Sequence, residues 1–282
     1  MTVLTDVKYI VPTLTHVIAS HDGGDGVNAV TSLDDDVFVV RCQCKQVEVY
    51  DAETFTLQRH IAVHEREVYT CGVTACARNK CLYLSNAENS SVHRVELSGS
   101  NAVKQWSVAG CPYGLSVNIA HNLVVACDRA NKLQEYTMQG SLVREICLQS
   151  GVADPWHAVQ LSTGDYVVSQ YTPGVVSVVG VDGQVLHSYE QSQTSDIGQM
   201  KCPTSLAVTK NDDILVADED NNRIVSINRS TGCVQELALP VDGGIQRPYG
   251  LCLDESRGRL YVGEHGGQHR VLVFDGVRLL RM

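Results

Sequence analysis

Apolar residues along this chain fall in short runs that are rich in valine, isoleucine and leucine. Clusters of glycine, asparagine, aspartate and serine separate the runs. No stretch of about 12 residues keeps the 3.6-residue spacing of an amphipathic helix. Short β-branched runs bounded by turn residues, such as residues 123–126 and 214–217, are typical of buried strands. The pattern therefore predicts an all-β protein.

The strand pattern repeats along the chain. Four segments open with a proline and a strand of small residues, and the prolines are spaced 43, 48 and 45 residues apart. They are Pro112, Pro155, Pro203 and Pro248. A second, a third and a fourth strand follow each opening. Two earlier copies without the proline contain Asn28 and Tyr69. The repeat predicts six units of four strands.

Six such units predict a single six-bladed β-propeller over residues 1–282. One four-stranded sheet cannot bury both faces, but six sheets around an axis can, and a closed ring leaves no long free edge. We expect the ring to close when residues 15–19 add the outer strand of the last blade, or pair beside residues 277–280. The predicted blades are residues 26–63, 67–108, 111–148, 154–189, 202–237, and 247–280 with 15–19.

The best copy of the repeat resembles an NHL repeat. It has a proline and small-residue strand at 202–208, a strand ending in Val-Ala-Asp at Asp218, and Asn-x-Arg-Ile at 221–224. Residues 111–136 form a second good copy, and the first two copies match mainly by spacing. The chain is similar to the C-terminal NHL domain of tripartite-motif (TRIM-NHL) proteins. No RING or B-box zinc spacing is present, so ubiquitin-ligase activity is not implied.

Aromatic residues stand where the chain enters four of the six units, although only 6% of all residues are aromatic. The positions taken as equivalent are Asn28, Tyr69, Tyr113, Trp156, Thr204 and Tyr249. In a propeller these positions share one face with the turns between second and third strands. Rigid amphipathic rings beside a channel suit recognition of a peptide or a base. The alternative is that they pack between blades and brace the ring.

The turns of the same face supply the polar candidates. Asp218, Asp220 and Glu264 form an acidic group suited to a basic peptide, and the alternative is a solvated acidic turn. With Arg129, Asn221 and Arg247 they complete a predicted binding set. That set is Tyr69, Tyr113, Trp156, Tyr249, Arg247, Arg129, Asp218, Asp220, Asn221 and Glu264.

Net charge separates the possible partners. The chain has 22 Lys and Arg against 32 Asp and Glu, a net charge of −10. This charge opposes a general affinity for phosphate backbones. Some NHL domains bind single-stranded RNA, so the resemblance keeps RNA binding as an alternative. No apolar run of about 18 residues predicts a membrane span, and no secretory signal is evident. We therefore expect a cytoplasmic protein.

No catalytic motif stands out. Six-bladed propellers include metal-dependent lactonases and lyases, which resemble this chain in fold only. A channel metal would draw on Asn28, Asn86, Asp218 and Glu264, but the corresponding residues Cys127 and Gln170 are poor ligands for hard ions. We interpret His64, His157 and His265 as satisfied or exposed histidines. The eleven cysteines are interpreted mostly as reduced, buried small hydrophobes.

Together these features predict a monomeric, non-catalytic interaction module without metal or cofactor. It would bind a protein or peptide, possibly a basic one, on the propeller face around the central channel. The alternatives are single-stranded RNA binding on the same face and a metal-dependent lactonase or lyase.

Overall fold

Six antiparallel four-stranded sheets form the blades of a β-propeller, which confirms the predicted fold class. The computed structural model describes residues 11–19, 25–63, 68–99, 101–189 and 197–277. In these ranges the only helical segments are two 3-10 turns, at Ala77–Asn79 and Glu219–Asn221. No helix in the described parts of the chain is long and apolar enough to cross a membrane.

The first three blades follow the chain from its N-terminal part, after a strand β1 at Thr13–Ile18. Blade one contains β2 Val27–Leu33, β3 Asp36–Arg41, β5 Gln46–Asp51 and β6 Leu57–Ala62. A short pair, β4 Gln43–Cys44 with β7 Val68–Tyr69, links it to the next blade. Blade two contains β8 Val73–Cys76, β9 Cys81–Asn86, β10 Ser91–Glu96 and β11 Val103–Ser107. Blade three contains β12 Pro112–Val117, β13 Leu123–Cys127, β14 Lys132–Tyr136 and β15 Leu142–Cys147.

The remaining blades contain the proline-led copies of the repeat. Blade four contains β16 Pro155–Gln160, β17 Tyr166–Gln170, β18 Val175–Val179 and β19 Val185–Tyr189. Blade five contains β20 Pro203–Val208, β21 Ile214–Asp218, β22 Arg223–Ile227 and β23 Val234–Glu236. Blade six contains β24 Pro248–Asp254, β25 Arg259–Glu264, β26 Val271–Asp275 and β1.

The core lies between the blades. The described residues form six hydrophobic clusters, one between each pair of adjacent blades. In one of them Val167 and Val178 of blade four pack with Ile214 and Val216 of blade five. Every residue of β13 and of β17 is buried, because blades cover both faces of the sheet. Two-sided burial explains why these strands read as continuous apolar runs rather than as alternating patterns.

The N-terminal strand closes the ring. Strand β1 pairs antiparallel with β26, from Thr13 opposite Asp275 to Ile18 opposite Val271. This confirms that the N-terminal segment supplies the outer strand of the last blade. Residues 278–280, the other predicted pairing partner, lie outside the described residues. A salt bridge across the same junction joins Arg257 of blade six to Asp35 of blade one at 2.7 Å.

Ring closure can be tested by a small change in this strand. Ile18 is 3% exposed and belongs to the cluster between blades six and one, whereas Val17 is 41% exposed. Ile18→Val removes one buried methyl group and should lower the free energy of unfolding by about 1 kcal/mol. Val17→Ala, the matched control, should change it by less than about 0.5 kcal/mol. Equal effects in urea denaturation would contradict the role of β1 in closing the ring.

Candidate functional site at the mouth of the central channel

One repeated backbone contact defines a face of the ring. In each of these contacts, the residue that follows the second strand of a blade donates its backbone N–H. The acceptor is the carbonyl of the residue just before the first, innermost strand of the same blade. The distances lie between 2.9 and 3.2 Å in five blades. The pairs are Cys42 with Gly26, Asp128 with Cys111, Tyr171 with Asp154, Glu219 with Cys202, and His265 with Arg247. We call the surface formed by these turns the upper face.

A central cavity of about 250 Å³ lies between the inner strands of all six blades. Its lining contains no Asp, Glu, Lys or Arg among the described residues. Trp156, Tyr249, Asn28 and Cys71 line its end at the upper face. The mouth of the channel is therefore aromatic and uncharged, and any charge available to a ligand lies in the surrounding turns.

Three rings from neighbouring blades form an aromatic plate at this mouth, namely Tyr113, Trp156 and Tyr171. Tyr113 and Trp156 stack with ring centroids 3.9 Å apart and an interplanar angle of 16°. Trp156 and Tyr171 stack at 4.6 Å and 26°. All three are partly exposed. Tyr249 meets Trp156 edge-on at 6.0 Å but is buried, so it supports the plate from below.

Tyr69 does not occupy the position equivalent to Trp156, and this part of the sequence alignment is wrong. Ser85 Oγ accepts the N–H of Gly72 in blade two, just as Ser169 Oγ accepts the N–H of His157 in blade four. Cys71 therefore corresponds to Trp156. Tyr69 lies two residues earlier, in the short pair with β4. Burial and the nearby Cys71 thiol raise the pKa of Tyr69 to about 12.

Asp218 and Glu264 are corrections to the predicted binding set, because both are fully buried and internally paired. Asp218 accepts hydrogen bonds from the Lys201 N–H at 2.8 Å, Asn221 Nδ2 at 2.7 Å and Arg223 Nε at 2.8 Å. Glu264 accepts the Gln246 N–H at 2.8 Å. These carboxylates hold the loop before the inner strand, so they do not present charge to a partner.

Arg270 completes the pairing of Glu264, with 2.6 Å from its Nε to the carboxylate. In blade four, Gln170 stands at the position of Glu264. Its amide oxygen accepts the Ala153 N–H at 2.8 Å, as Glu264 accepts the Gln246 N–H. This recurrence explains why a polar residue ends the second strand in several repeats. The donor atoms proposed for a channel metal at Asp218 and Glu264 are thus already engaged. The described residues contain no group of three His, Cys, Asp or Glu side chains arranged to hold a metal ion.

Glu219 is the centre of a second polar cluster and is only 1% exposed on its side chain. Arg247 Nη2 lies 2.6 Å from its Oε1, and His265 Nδ1 lies 3.3 Å from the same oxygen. The Tyr171 hydroxyl lies 3.5 Å from Oε2. Hydrogen bonds of the His265 imidazole to Cys42 and then to Glu219 raise its pKa to about 9. The charge of Arg247 is therefore matched internally.

Near the plate, charge on the upper face includes the exposed Asp220 and Arg129 and a partly exposed carboxyl pair at Asp128 and Asp154. Other exposed charges in its turns are Lys45, Glu88 and Lys201. The Asp220 side chain is 47% exposed, and Arg129 is exposed. Burial, followed by the neighbouring Asp154 carboxylate, raises the pKa of Asp128. Neither Asp128 nor Asp154 makes a salt bridge within the described ranges. The pair stands next to the plate, since Asp154 precedes Trp156 by two residues and the Asp128 charge acts on Tyr113.

His157 is a structural histidine, in line with its predicted interpretation. Its Nδ1 accepts the Leu206 N–H at 2.9 Å, so its Nε2 donates to the Leu115 carbonyl oxygen at 3.1 Å. Burial lowers its pKa to about 4. The neutral ring thus ties blade four to blades three and five. His64 lies outside the described residues.

Six residues of the site were not among the predicted binding residues. They are Cys42, Asp128, Asp154, Tyr171, Glu219 and His265. All except Asp154 are the first residue after a second strand. The repeat therefore carried a usable signal, which is the position directly after the second strand of each copy.

Comparison with known proteins identifies one repeat and the fold. Residues 200–225 match the NHL repeat family, at the copy that resembles it best. No curated protein matches the sequence. The resemblance to the NHL domain of tripartite-motif proteins stays a prediction.

Several solved structures share the architecture over most of both chains. A streptogramin B lyase is 11% identical, with a TM-score of 0.66 over 92% of this chain and 96% of its own. A virginiamycin B lyase from Staphylococcus aureus is 11% identical, with a TM-score of 0.67 over 92% and 98%. The WD40 propeller domain of Doa1 is 14% identical, with a TM-score of 0.64 over 94% and 96%. At these identities the likeness shows the propeller fold alone.

Proposed function

We propose that this chain is a non-catalytic interaction module that binds a basic peptide segment of a protein partner. The binding site would be the aromatic plate on the upper face. The observation that carries the proposal is the stack of Tyr113, Trp156 and Tyr171 beside the Asp128–Asp154 carboxyl pair. A match to the NHL repeat in the fifth blade fits a binding role.

The plate supplies burial at low entropic cost. Its three rings already contact one another, so little side-chain freedom remains to be lost when a ligand covers them. A lysine or arginine side chain against tyrosine and tryptophan rings gains cation–π attraction. The same cation would add to Arg129 in offsetting the cost of burying the Asp128 carboxylate and its repulsion by Asp154. Rings and carboxylates thus favour one chemical class of ligand.

RNA is less well supported by the same surface. Base stacking and cation–π contact both need a free ring face, so the stack of Tyr113, Trp156 and Tyr171 does not by itself separate the two ligands. Phosphate contacts need unpaired cations. Arg247 is bound to Glu219 at 2.6 Å, which leaves the exposed Arg129, Lys45 and Lys201 on this face. Asp128 and Asp154 would repel a phosphate near the plate. We therefore favour a basic peptide over RNA as the ligand of this surface.

The enzyme alternative has no independent support beyond the fold. The lyases with this architecture are 11% identical to the chain, and a fold hosts many functions. The two buried carboxylates considered for metal binding serve the blade loops instead. Among the described residues, the cavity lining offers no carboxylate.

A display library of random peptides, selected on the purified chain, tests the proposal. We expect lysine- or arginine-containing peptides to be enriched. In fluorescence anisotropy, Trp156→Ala should weaken binding of a selected peptide about 10–100-fold. Asp154→Asn should weaken peptide binding less than Trp156→Ala does. Added salt should reduce the difference in affinity between wild type and Asp154→Asn. The control is Ile119→Ala, which changes an apolar residue 68% exposed in the turn between β12 and β13.

Two results would overturn the proposal. One is a selected peptide whose affinity is unchanged by Trp156→Ala. The other is a selection that enriches no peptide while a labelled single-stranded oligonucleotide binds and loses affinity in Trp156→Ala. Circular dichroism of each variant ensures that a loss of binding does not reflect unfolding.

A further inference from the structure

The central channel below the aromatic plate contains the cavity of about 250 Å³, which the inner strands of all six blades line. The inner strands begin at the upper face, so residues near their C-terminal ends lie towards the lower end of the channel. Four apolar side chains from four blades line this lower part, namely Val117, Val159, Val208 and Leu253. Each is only partly buried. The channel therefore keeps accessible apolar surface below its mouth.

The described residues of this lining are uncharged at pH 7. They include no Asp, Glu, Lys or Arg. His157 is neutral because burial lowers its pKa to about 4. Burial also raises the pKa of the Cys71 thiol and of the Tyr249 hydroxyl well above their usual values. An ion that entered the channel would lose its hydration without gaining a counter-ion, so the lining favours an uncharged molecule.

Asn28 supplies a polar group at the upper end of the cavity. The residue is 2% exposed. Its Nδ2 donates to the Thr70 carbonyl at 2.9 Å, whereas its Oδ1 has no hydrogen-bond donor among the described residues. Buried acceptors in native proteins are almost always paired. A ligand that carries an O–H or N–H group would complete the hydrogen bonding of Asn28.

The volume of the cavity limits the size of such a ligand. An apolar cavity of about 150 Å³ holds one benzene molecule, which has six non-hydrogen atoms. In proportion, a volume of about 250 Å³ holds about ten such atoms. Pockets for drug-sized ligands are larger, at roughly 300–1,000 Å³. The channel therefore suits a small molecule with one or two rings.

We propose that the central channel binds an uncharged, largely apolar small molecule that has one or two rings and one hydrogen-bond donor. Its apolar body would lie against the aliphatic side chains of the lower part, and its donor would face Asn28. The inference does not rest on the peptide-binding proposal, because the two sites share only Trp156 at the mouth.

Three aromatic probes with the same number of non-hydrogen atoms test the proposal on the wild-type chain. Indole is uncharged and has an N–H, benzofuran is uncharged and has no donor, and benzamidine is a cation. In isothermal titration calorimetry we expect a Kd of about 0.1 mM for indole and about tenfold weaker binding of benzofuran.

Methyl NMR spectra locate the bound probe. Indole should shift the methyl signals of the channel residues Val117, Val159, Val208 and Leu253. It should leave those of Leu142 unchanged, since this residue is 51% exposed on the outer strand β15. Benzamidine should shift none of the channel signals.

Two variants test the lining itself. Val208→Phe should fill part of the lower channel and weaken indole binding at least about tenfold. Val143→Phe is the same change at a position 47% exposed on β15 and should leave indole binding unchanged. Asn28→Leu should remove the preference for indole over benzofuran. Circular dichroism of each variant shows whether it is folded.

Three results on the wild-type chain would overturn the proposal, and none of them needs a variant. The first is a set of channel methyl signals that millimolar indole leaves unchanged, because the channel then holds solvent only. The second is benzofuran binding as tightly as indole. The third is benzamidine shifting the same channel signals as indole.

Discussion

Replacing Asp218 with alanine is expected to lower the free energy of unfolding by about 3–5 kcal/mol. Asp218 is fully buried and accepts three hydrogen bonds, one of them from Arg223. Arg223 is itself only 10% exposed on its side chain. Removing the carboxylate would leave the Lys201 N–H without its acceptor and the buried Arg223 charge without its counter-ion, with only the Ile197 and Gln199 carbonyls still accepting from it. Urea denaturation of wild type and variant gives the difference.

Asp220 offers a matched control two residues further on. Its side chain is 47% exposed and lies 3.8 Å from Arg247, which has a closer partner in Glu219. Asp220→Ala should therefore change the unfolding free energy by no more than about 0.5 kcal/mol. Similar losses for both variants would contradict the structural role assigned to Asp218. The comparison also bears on ligand binding, because Asp218→Lys would impair binding through loss of folding rather than loss of contact.

Stability should fall steeply as pH drops from about 6.5 to 4, and His157 should account for a large part of the loss. Burial lowers its pKa from 6.5 to about 4 in the folded chain. In this window the unfolded chain binds a proton at His157 and the folded chain does not, so stability present above pH 6.5 is lost on acidification. A shift of this size corresponds to about 3 kcal/mol.

The His157→Gln variant isolates this contribution. Glutamine can accept from the Leu206 N–H and donate to the Leu115 carbonyl, but it does not titrate. The difference in unfolding free energy between wild type and variant should therefore narrow between pH 6.5 and 4. Carboxylates common to both proteins cancel in that difference. A difference that stays constant over the window would contradict the neutral, buried state of His157.

His265 should act with the opposite sign and in a different window. Its pKa is raised to about 9 by hydrogen bonds to Cys42 and Glu219. Its contribution is therefore fully present below pH 6.5 and is lost as pH rises through 9. The two histidines thus affect the pH dependence of stability in separate ranges. His157 acts on the acid side and His265 on the alkaline side.

The fold could be predicted from the sequence because the same pattern of strands and turns occurs six times. Each blade needs apolar strands buried on both sides, polar turns between them, and a fixed spacing. The segment before the first unit had no place in the repeat, and this indicated the closing strand now seen at Thr13–Ile18. The aromatic positions Tyr113 and Trp156 followed from alignment of the proline-led copies.

The alignment failed in one of the two copies that lack the proline. Without that marker, Tyr69 was placed two residues from its true equivalence, and the hydrogen bond from Gly72 to Ser85 was needed to identify Cys71. The sequence likewise could not predict that Asp218 and Asp220 differ in solvent exposure. Both are aspartates in one acidic run, yet one is fully buried and the other is 47% exposed.

Strand content, six-fold repetition and ring closure depend on local pattern and spacing, so the amino-acid sequence alone determined them. The aromatic plate and the Cys42–His265–Glu219 cluster could not be predicted in this way. Their members come from different blades and are far apart along the chain, and they meet only because the ring closes. Which carboxylate is buried, and which imidazole is neutral, depends on partners that packing supplies. Those properties were decided by the tertiary structure, since burial and electrostatic interaction depend on distance in space rather than along the chain.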